Sequence, residues 1–166
     1  LHEGGTVADV GTTVPDLVAA RLSLLPQTAL ELAQIAAVFG TEVDRDLLIR
    51  AAELPPRRFE TTLSVLSQRQ LVFDDGAVIG FATGMIRDIV YDATPADVRR
   101  ALHGIALELL SQVSNEPAVL GHHADLAGQA EVGADHLMRA GDRAAHFLDD
   151  AGSCTLYQRA LRAARG

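Results

Sequence analysis

One segment of this chain has the pattern of a β-hairpin, whereas the patterns on either side of it are helical. The segment LVFDDGAVIGFA, residues 71–82, contains Asp75-Gly76, a dipeptide that favours a two-residue hairpin turn. Directly after it, from Met85 to Val90, the apolar residues fall at helical spacing, and only Thr83-Gly84 separate the two patterns. Helices must therefore pack around one small hairpin, which restricts the fold class to a mainly α one.

Four helical patterns precede the hairpin, and each carries apolar residues three or four positions apart. They begin at Pro15, at Pro26, after Asp44 and at Pro55-Pro56, which are residues typical of helix starts. The segment 84–93 supplies a fifth helix. A winged helix-turn-helix module with an extra helix attached has this order of elements: three helices, a hairpin and then another helix. We therefore predict that module here.

The second half of the chain reads as helices throughout. ADVRRALHGIALELLSQV, after Pro95, predicts a long amphipathic linker helix that stops near Pro117. Three shorter helical segments follow, and their lengths suit helical-hairpin repeats of about 34 residues. We expect segments 117–128, 130–148 and 152–165 to pack as successive antiparallel neighbours. The residues expected to form their core are Leu120, Leu126, Leu137, Phe147, Leu156 and Leu161.

These patterns divide the chain into four parts. Residues 1–13 read as a loop or the end of an upstream element, and residues 14–94 as the winged-helix module. Residues 95–116 form the linker helix, and residues 117–166 the start of a tetratricopeptide-like helical array. The chain starts with the Gly- and Thr-rich stretch LHEGGTVADVGTT and has no initiating methionine, so we expect it to be a piece of a longer protein.

The composition excludes several kinds of chemistry. All 14 basic residues are arginine, so a phosphate loop that depends on a lysine and a catalytic lysine are both excluded. The single cysteine, Cys154, excludes an internal disulfide, suits a reducing cytoplasm and is expected to be buried in a helix. The net charge of −8 disfavours a broad nucleic-acid surface. No apolar run approaches the ~18–20 residues that a membrane span needs.

The histidines and the fourth helix raise two further possibilities. His122, His123 and Asp125 suggest a metal site only superficially, because adjacent histidines diverge and no third ligand has a fixed spacing. No histidine has a partnered serine or cysteine, so we predict neither catalytic nor metal-binding residues. The fourth helix is the one that would enter a DNA groove. It brings Arg57 and Arg58, with Arg69 at its end, but residues 1–94 carry 7 Arg against 13 Asp and Glu, which favours a packing module over a DNA reader.

Three stretches carry a resemblance to a known class of proteins: VPDLVAARLSLLPQTALELAQIAAVFG, then FATGMIRDIVYDATPADVRRALHGIALELL, then HHADLAGQAEVGADHLMRAGDRAAHF. Together they resemble one part of the large bacterial signalling ATPases of the STAND class. Those regulators place a winged-helix domain and a tetratricopeptide-like sensor array after an AAA+-like nucleotide-binding core. They are often fused to an adenylate or guanylate cyclase, a Ser/Thr kinase or a DNA-binding domain. The order of elements is the strongest part of the resemblance.

The resemblance implies a functional role for the turn between the hairpin and the fifth helix. In that class it commonly reads Phe-x-His-x-Leu-Ile-Arg and then an acid, similar to a motif of plant immune receptors whose histidine reaches the β-phosphate of ADP. Phe81, Arg87 and Asp88 match this phrase, and Thr83 stands at the histidine position. The resemblance therefore implies a nucleotide-facing turn in the parent protein, with Thr83, Gly84 and Arg87 as cofactor-binding residues. From the residues alone, Thr83 also fits a plain helix N-cap. Arg87 and Asp88 are adjacent and point in different directions on a helix, so they also fit surface or interdomain ion pairing.

The resemblance implies a regulatory role in the bacterial cytoplasm. The segment would couple a nucleotide-binding core to a helical sensor array, and would itself be no enzyme and hold no cofactor. ATP or ADP would bind the parent protein. The expected partners are the upstream nucleotide-binding domain of the same chain and a protein or small-molecule signal on the array, but neither DNA nor a membrane. The alternative is a stand-alone winged-helix DNA-binding transcriptional regulator with a helical dimerisation region, and a third class is a hydrolase that uses the histidines.

Overall fold

A computed structural model describes residues 13–165 of the chain, so the prediction for residues 1–12 lies outside the described part. The described part is mainly helical and contains one small antiparallel sheet. Its elements, in chain order, are α1 Val14–Ser23, α2 Gln27–Phe39, β1 Glu42–Asp44, α3 Arg45–Ala52, α4 Pro56–Gln68, β2 Val72–Asp74, β3 Val78–Phe81, α5 Gly84–Ala93, α6 Ala96–Ser111, α7 Pro117–Leu126, α8 Ala130–His146 and α9 Asp150–Ala163. None of these helices combines the length and the apolar content that crossing a bilayer requires.

The sheet has one strand more than the sequence predicts. Strand β3 lies in the middle and pairs antiparallel with both β1 and β2. β1 occupies the short link before α3, where Val43 faces Ile79 across the ladder and both side chains are buried. Asp44 then ends the strand and caps α3, since its carboxylate accepts from the backbone N–H of Asp46 at 2.9 Å and of Leu47 at 3.1 Å. The predicted cap is therefore confirmed, and it follows directly on the unpredicted strand.

The hairpin forms where it was predicted, but its turn is longer than two residues. Asp74 pairs with Ile79, and Asp75, Gly76 and Ala77 lie between the two strands. The side chain of Asp75 accepts from the N–H of Ala77 at 2.9 Å and of Val78 at 2.8 Å. These bonds stabilise the turn of Asp75, Gly76 and Ala77, in which Gly76 has a positive φ of 93°.

The main hydrophobic core surrounds α2, whose small residues allow close approach. Ala29, Ala33, Ala36 and Ala37 are all buried on this helix, and α4, α5 and α6 pack against it. Large side chains from α2 itself and from the segments around it fill the core. The fully buried members are Phe59, Leu32, Leu48, Leu66, Leu71, Ile79 and Val90.

Helices α7 to α9 pack as successive antiparallel neighbours, as predicted, and α6 packs on α7 before them. Gly121 of α7 contacts Leu137 of α8, and Asp125, further along α7, contacts Gly133, which comes earlier in α8. The two helices therefore run in opposite directions. A Cβ on Gly121 would lie 2.8 Å from Leu137 Cγ, which shows how closely α7 and α8 approach. Two small clusters of buried side chains lie between these helices, separate from the main core.

The burial predicted for the second half is correct for only part of the set. Leu120 and Leu137 are buried, and Leu156 packs partly buried beside Leu137. The predicted burial is wrong for four residues, all of which are exposed: Leu126, Phe147, Cys154 and Leu161. Leu126 is the last residue of its helix and Phe147 caps the end of α8. Cys154 is exposed on α9, and Leu161 lines an open groove between α8 and α9, which leaves its side chain accessible.

Candidate functional site

The turn that joins β3 to α5 is an exposed helix start. Thr83 has extended backbone angles, φ −149° and ψ 154°, and its hydroxyl accepts from the backbone N–H of Ile86 at 3.3 Å. This is the geometry of an N-cap, in which a side-chain oxygen satisfies one of the free donors of the first turn. Thr83 and Gly84 are both exposed. The structure thus gives Thr83 the capping role, and the exposed turn still leaves room for a ligand or partner.

The conformation of Gly84 does not require a glycine. Its φ is not positive, and a Cβ at this position would meet only Thr41 Cγ2, at the ordinary contact distance of 3.9 Å. Alanine is also the better helix former by roughly 1 kcal/mol in helix interiors. A side chain could therefore be accommodated at the start of α5, and nothing in the described fold explains why the sequence has none there.

Arg87 lies one turn into α5, and its side chain points to α2 rather than to the Thr83 turn. Its Nε–H donates to the carbonyl of Ala37 at 2.8 Å, in the last turn of α2, where carbonyls lack helical partners. The guanidinium also pairs with Asp88 at 3.1 Å and lies 4.6 Å from the centre of the Tyr91 ring. The structure therefore brings Thr83 and Gly84 together, while Arg87 joins two helices. Its ion pair with Asp88 differs from the prediction that these adjacent side chains point in different directions.

A buried chain of hydrogen bonds links α5, α6 and α7. The Tyr91 hydroxyl lies 2.9 Å from His103 Nε2, and His103 Nδ1 lies 2.9 Å from His123 Nδ1. His103 is 1% exposed and His123 is 3% exposed. Phe39, at the end of α2, has its ring centre 6.4 Å from that of His123. The three polar side chains therefore connect the end of the first half to the helices of the second.

Both buried histidines are held in the neutral form. Burial, together with the neighbouring His123, His122, Arg87 and Arg99, lowers the pKa of His103 to about 4, and burial is the largest of these causes. Burial likewise lowers the pKa of His123 to about 4, with a smaller effect from His122. Neutrality suits the contact between them, because one Nδ1 must donate a hydrogen and the other must accept it. The bond between the two Nδ1 atoms is therefore lost when both imidazoles are protonated.

The histidine cluster does not have the geometry of a metal site. His122 is exposed, and its ring centre lies 5.8 Å from that of His103 and 5.5 Å from that of His123. Among residues 13–165, no group of three His, Cys, Asp or Glu side chains is arranged to hold a metal ion. The cluster therefore works through hydrogen bonds and packing.

Sequence reasoning missed this network, although a signal for it was present. His103 occupies the apolar face of α6, three and four positions before the buried Ala106 and Leu107. His123 lies on the buried face of α7, three positions after Leu120 and directly before Ala124, which are also buried. A histidine at core spacing indicates a buried polar group, which needs a hydrogen-bond partner. Tyr91 and the pairing of the two histidines depend on how the helices pack, which the spacing does not reveal.

The surface of α4 carries arginines and one carboxylate. Arg57 and Arg58 are exposed near its start, whereas Arg69 is half-buried at its end. Glu60 lies on the same helix and accepts from Arg45 at 2.7 Å. Two exposed arginines are thus present on the helix that would enter a DNA groove, beside an acidic residue that is already paired.

An open apolar groove runs between α8 and α9. It has a volume of about 520 Å³, and most of its lining is apolar. Met138 is 48% exposed and Leu161 is 54% exposed on its walls, while Tyr157 donates a hydrogen bond to Asp142 at 2.8 Å beside it. Exposed large apolar side chains in a concave surface are typical of an interaction site.

Comparison with protein-family models, with curated proteins and with solved structures finds no match to this chain.

Proposed function

We propose that this segment is the relay of a multidomain signalling ATPase of the STAND class. In this proposal residues 14–94 are a winged-helix module, α6 is the linker, and α7 to α9 begin a tetratricopeptide-like array. The order of elements supports it: a helix, a strand, two helices and a hairpin, with β3 between β1 and β2. The single observation that carries the proposal is that α6 packs on α2 and α3 of the first half and also on α7.

The contacts of α6 give the relay a physical path. Arg50 of α3 donates a hydrogen bond to Gln112 at the end of α6. In the middle of α6, His103 bonds both Tyr91 of α5 and His123 of α7. A movement of α5 therefore cannot leave α7 undisturbed unless these buried bonds break. Since buried polar groups are costly to leave unpaired, the two halves are expected to move together.

The proposal assigns a different partner to each half. The exposed Thr83-Gly84 turn would face the nucleotide of an upstream core in the same protein, where ATP or ADP binds. The groove between α8 and α9, with Met138 and Leu161 on its walls, would receive a protein or small-molecule signal. The segment itself would carry no catalytic function, because it has no lysine and no partnered nucleophile. Its place in the cell would be the cytoplasm.

The Thr83 turn provides the experiment that tests this function. In the full-length protein, Thr83→His should slow the release of ADP by around tenfold, because an imidazole that donates to a charged phosphate binds it more strongly than a neutral hydroxyl does. Gly84→Ala should speed ADP release through its added methyl group without lowering thermal stability, because the fold accommodates the extra carbon. Stopped-flow displacement of a fluorescent ADP measures both rates.

The matched control is Thr61→His, which introduces the same side chain at another exposed threonine, on α4. ADP release that is unchanged in the Thr83 variant, while ADP still binds the core, would reduce the turn to a capped helix start. The proposed nucleotide contact would then be wrong.

A second function is favoured by one observation, the exposed Arg57 and Arg58 on α4. A stand-alone winged-helix regulator would use this helix to bind duplex DNA. Fluorescence anisotropy with random duplex DNA at low salt separates the two functions. We expect weak binding, because residues 1–94 carry a net charge of −6. Tight binding that weakens with salt and with Arg57→Gln and Arg58→Gln together would favour the DNA-binding function.

A further inference from the structure

A cleft opens at the junction of α5, α6 and α7, away from the Thr83 turn. Its volume is about 310 Å³. Unlike the groove between α8 and α9, its lining is largely polar and includes two adjacent arginines of α6. The residues that line it are Tyr91, Asp92, Ala96, Arg99, Arg100, His103 and Leu126.

The two arginines of the cleft are not neutralised by ion pairs. Within residues 13–165, no carboxylate lies at ion-pair distance from Arg99 or Arg100. Arg99 donates one hydrogen bond to the Tyr91 carbonyl at 3.1 Å and lies 5.1 Å from the centre of the Tyr91 ring. A guanidinium carries five N–H donors, so most of those on Arg99 stay unused. In a protein of net charge −8, two such arginines side by side in a cleft are a distinct positive feature.

Three other groups around the cleft bear on its electrostatics. Asp92 lines it and contributes one negative charge against the two positive ones. Ala96 is the first residue of α6, whose N-cap residue Pro95 gives no side-chain cap, and free N–H groups at a helix start favour anions. His103 forms the buried wall, with its Nε2 bonded to Tyr91. Together, these charges and donors favour a small anion that binds the arginines at a distance from Asp92.

We propose that this cleft binds a phosphate group, free or carried by a small organic molecule. Arginine is suited to the task because its planar fork of donors matches the oxygens of a phosphate. The volume exceeds that of a single phosphate, so it leaves room for a short organic chain near Leu126. Occupation would link α5 to α6 across the Tyr91–His103 bond, and would thereby stabilise the junction between the two halves of the described chain.

Titration with sodium phosphate, followed by two-dimensional NMR of the whole chain at constant ionic strength, tests the proposal. We expect saturable shifts at the amides of Tyr91, Ala96, Arg99 and Arg100. Arg100→Gln should weaken binding by about tenfold or more, since it removes a charge-assisted contact. Asp92→Asn should strengthen binding a few-fold, because it removes the opposing charge. Arg162→Gln, an equal change at an exposed arginine of α9, is the matched control and should change nothing.

A parallel titration with glycerol 3-phosphate identifies the source of the phosphate group. Tighter binding than inorganic phosphate supports an organic ligand, and equal binding supports the free ion. The imidazole of His103 gives an independent readout, because a bound anion favours the charged imidazole and should raise its pKa from about 4. The proposal is overturned if the shifts never saturate, if Arg100→Gln and Arg162→Gln behave alike, or if Asp92→Asn weakens binding.

Discussion

Replacing Leu137 by alanine should lower the free energy of unfolding by about 2–5 kcal/mol, the usual cost of a cavity at a fully buried leucine. Leu137 has no exposed surface, and it lies between α7 and α9 against Gly121 on one side and Ala160 on the other. Because Gly121 has no side chain that could move into the space, the cavity should collapse only slightly. Urea unfolding followed by circular dichroism measures the change.

Leu161→Ala is the matched control, since it makes the same substitution on α9 at a side chain that is 54% exposed. It should cost at most about 1 kcal/mol. If the two variants lose equal stability, the register of the helices around Leu137 is wrong. Leu161→Ala should instead affect whatever binds the apolar groove, whose wall it forms.

Acid should destabilise the junction between the two halves well before it protonates most carboxylates. The pKa of His103 and that of His123 are about 4 in the folded chain, against about 6.5 for an unperturbed histidine. Between these values the unfolded chain binds more protons, so stability is fully present above pH 6.5 and declines as the pH falls toward 4. The loss should be on the order of 3 kcal/mol for each histidine.

The surroundings of the pair explain why it resists protonation. Arg87 approaches from α5, Arg99 from α6 and His122 from α7, and each raises the cost of a charge on His103. Protonation of both imidazoles would also bring two Nδ1–H donors face to face and abolish their bond. Urea unfolding at several pH values, compared between the natural chain and His103→Gln, measures the effect, and the exposed His146→Gln is the control. A pH dependence that is unaltered in His103→Gln would contradict this explanation.

The sequence was a good guide where local chemistry decides the structure. The helix over residues 84–93 begins and ends as predicted, because Thr83 caps it and the apolar spacing is regular. Asp44 caps α3 as predicted for the same reason. The order of helices around one hairpin was also predictable from periodicity alone. These features depend on residues that are close together in the chain.

The features that were missed depend on residues far apart in the chain. Strand β1 has only three residues, too few for an alternating pattern, and it exists because it pairs with β3 about 35 residues later. The exposure of Leu161 and Phe147 was missed because helical spacing shows which residues share a face, not which face has a neighbour. The Tyr91–His103–His123 network likewise requires three helices to be in place. Periodicity could flag His103 but could not name its partners.

The central claim is that changes at a nucleotide-binding core reach the helical array through α6. Hydrogen exchange of the amides in α7, α8 and α9, measured in the full-length protein with ADP and with a non-hydrolysable ATP analogue, tests it most directly. The relay predicts that protection of these helices differs between the two nucleotides, and that His103→Gln reduces the difference. Identical exchange in α7 to α9 with both nucleotides, although both bind the core, would contradict the relay.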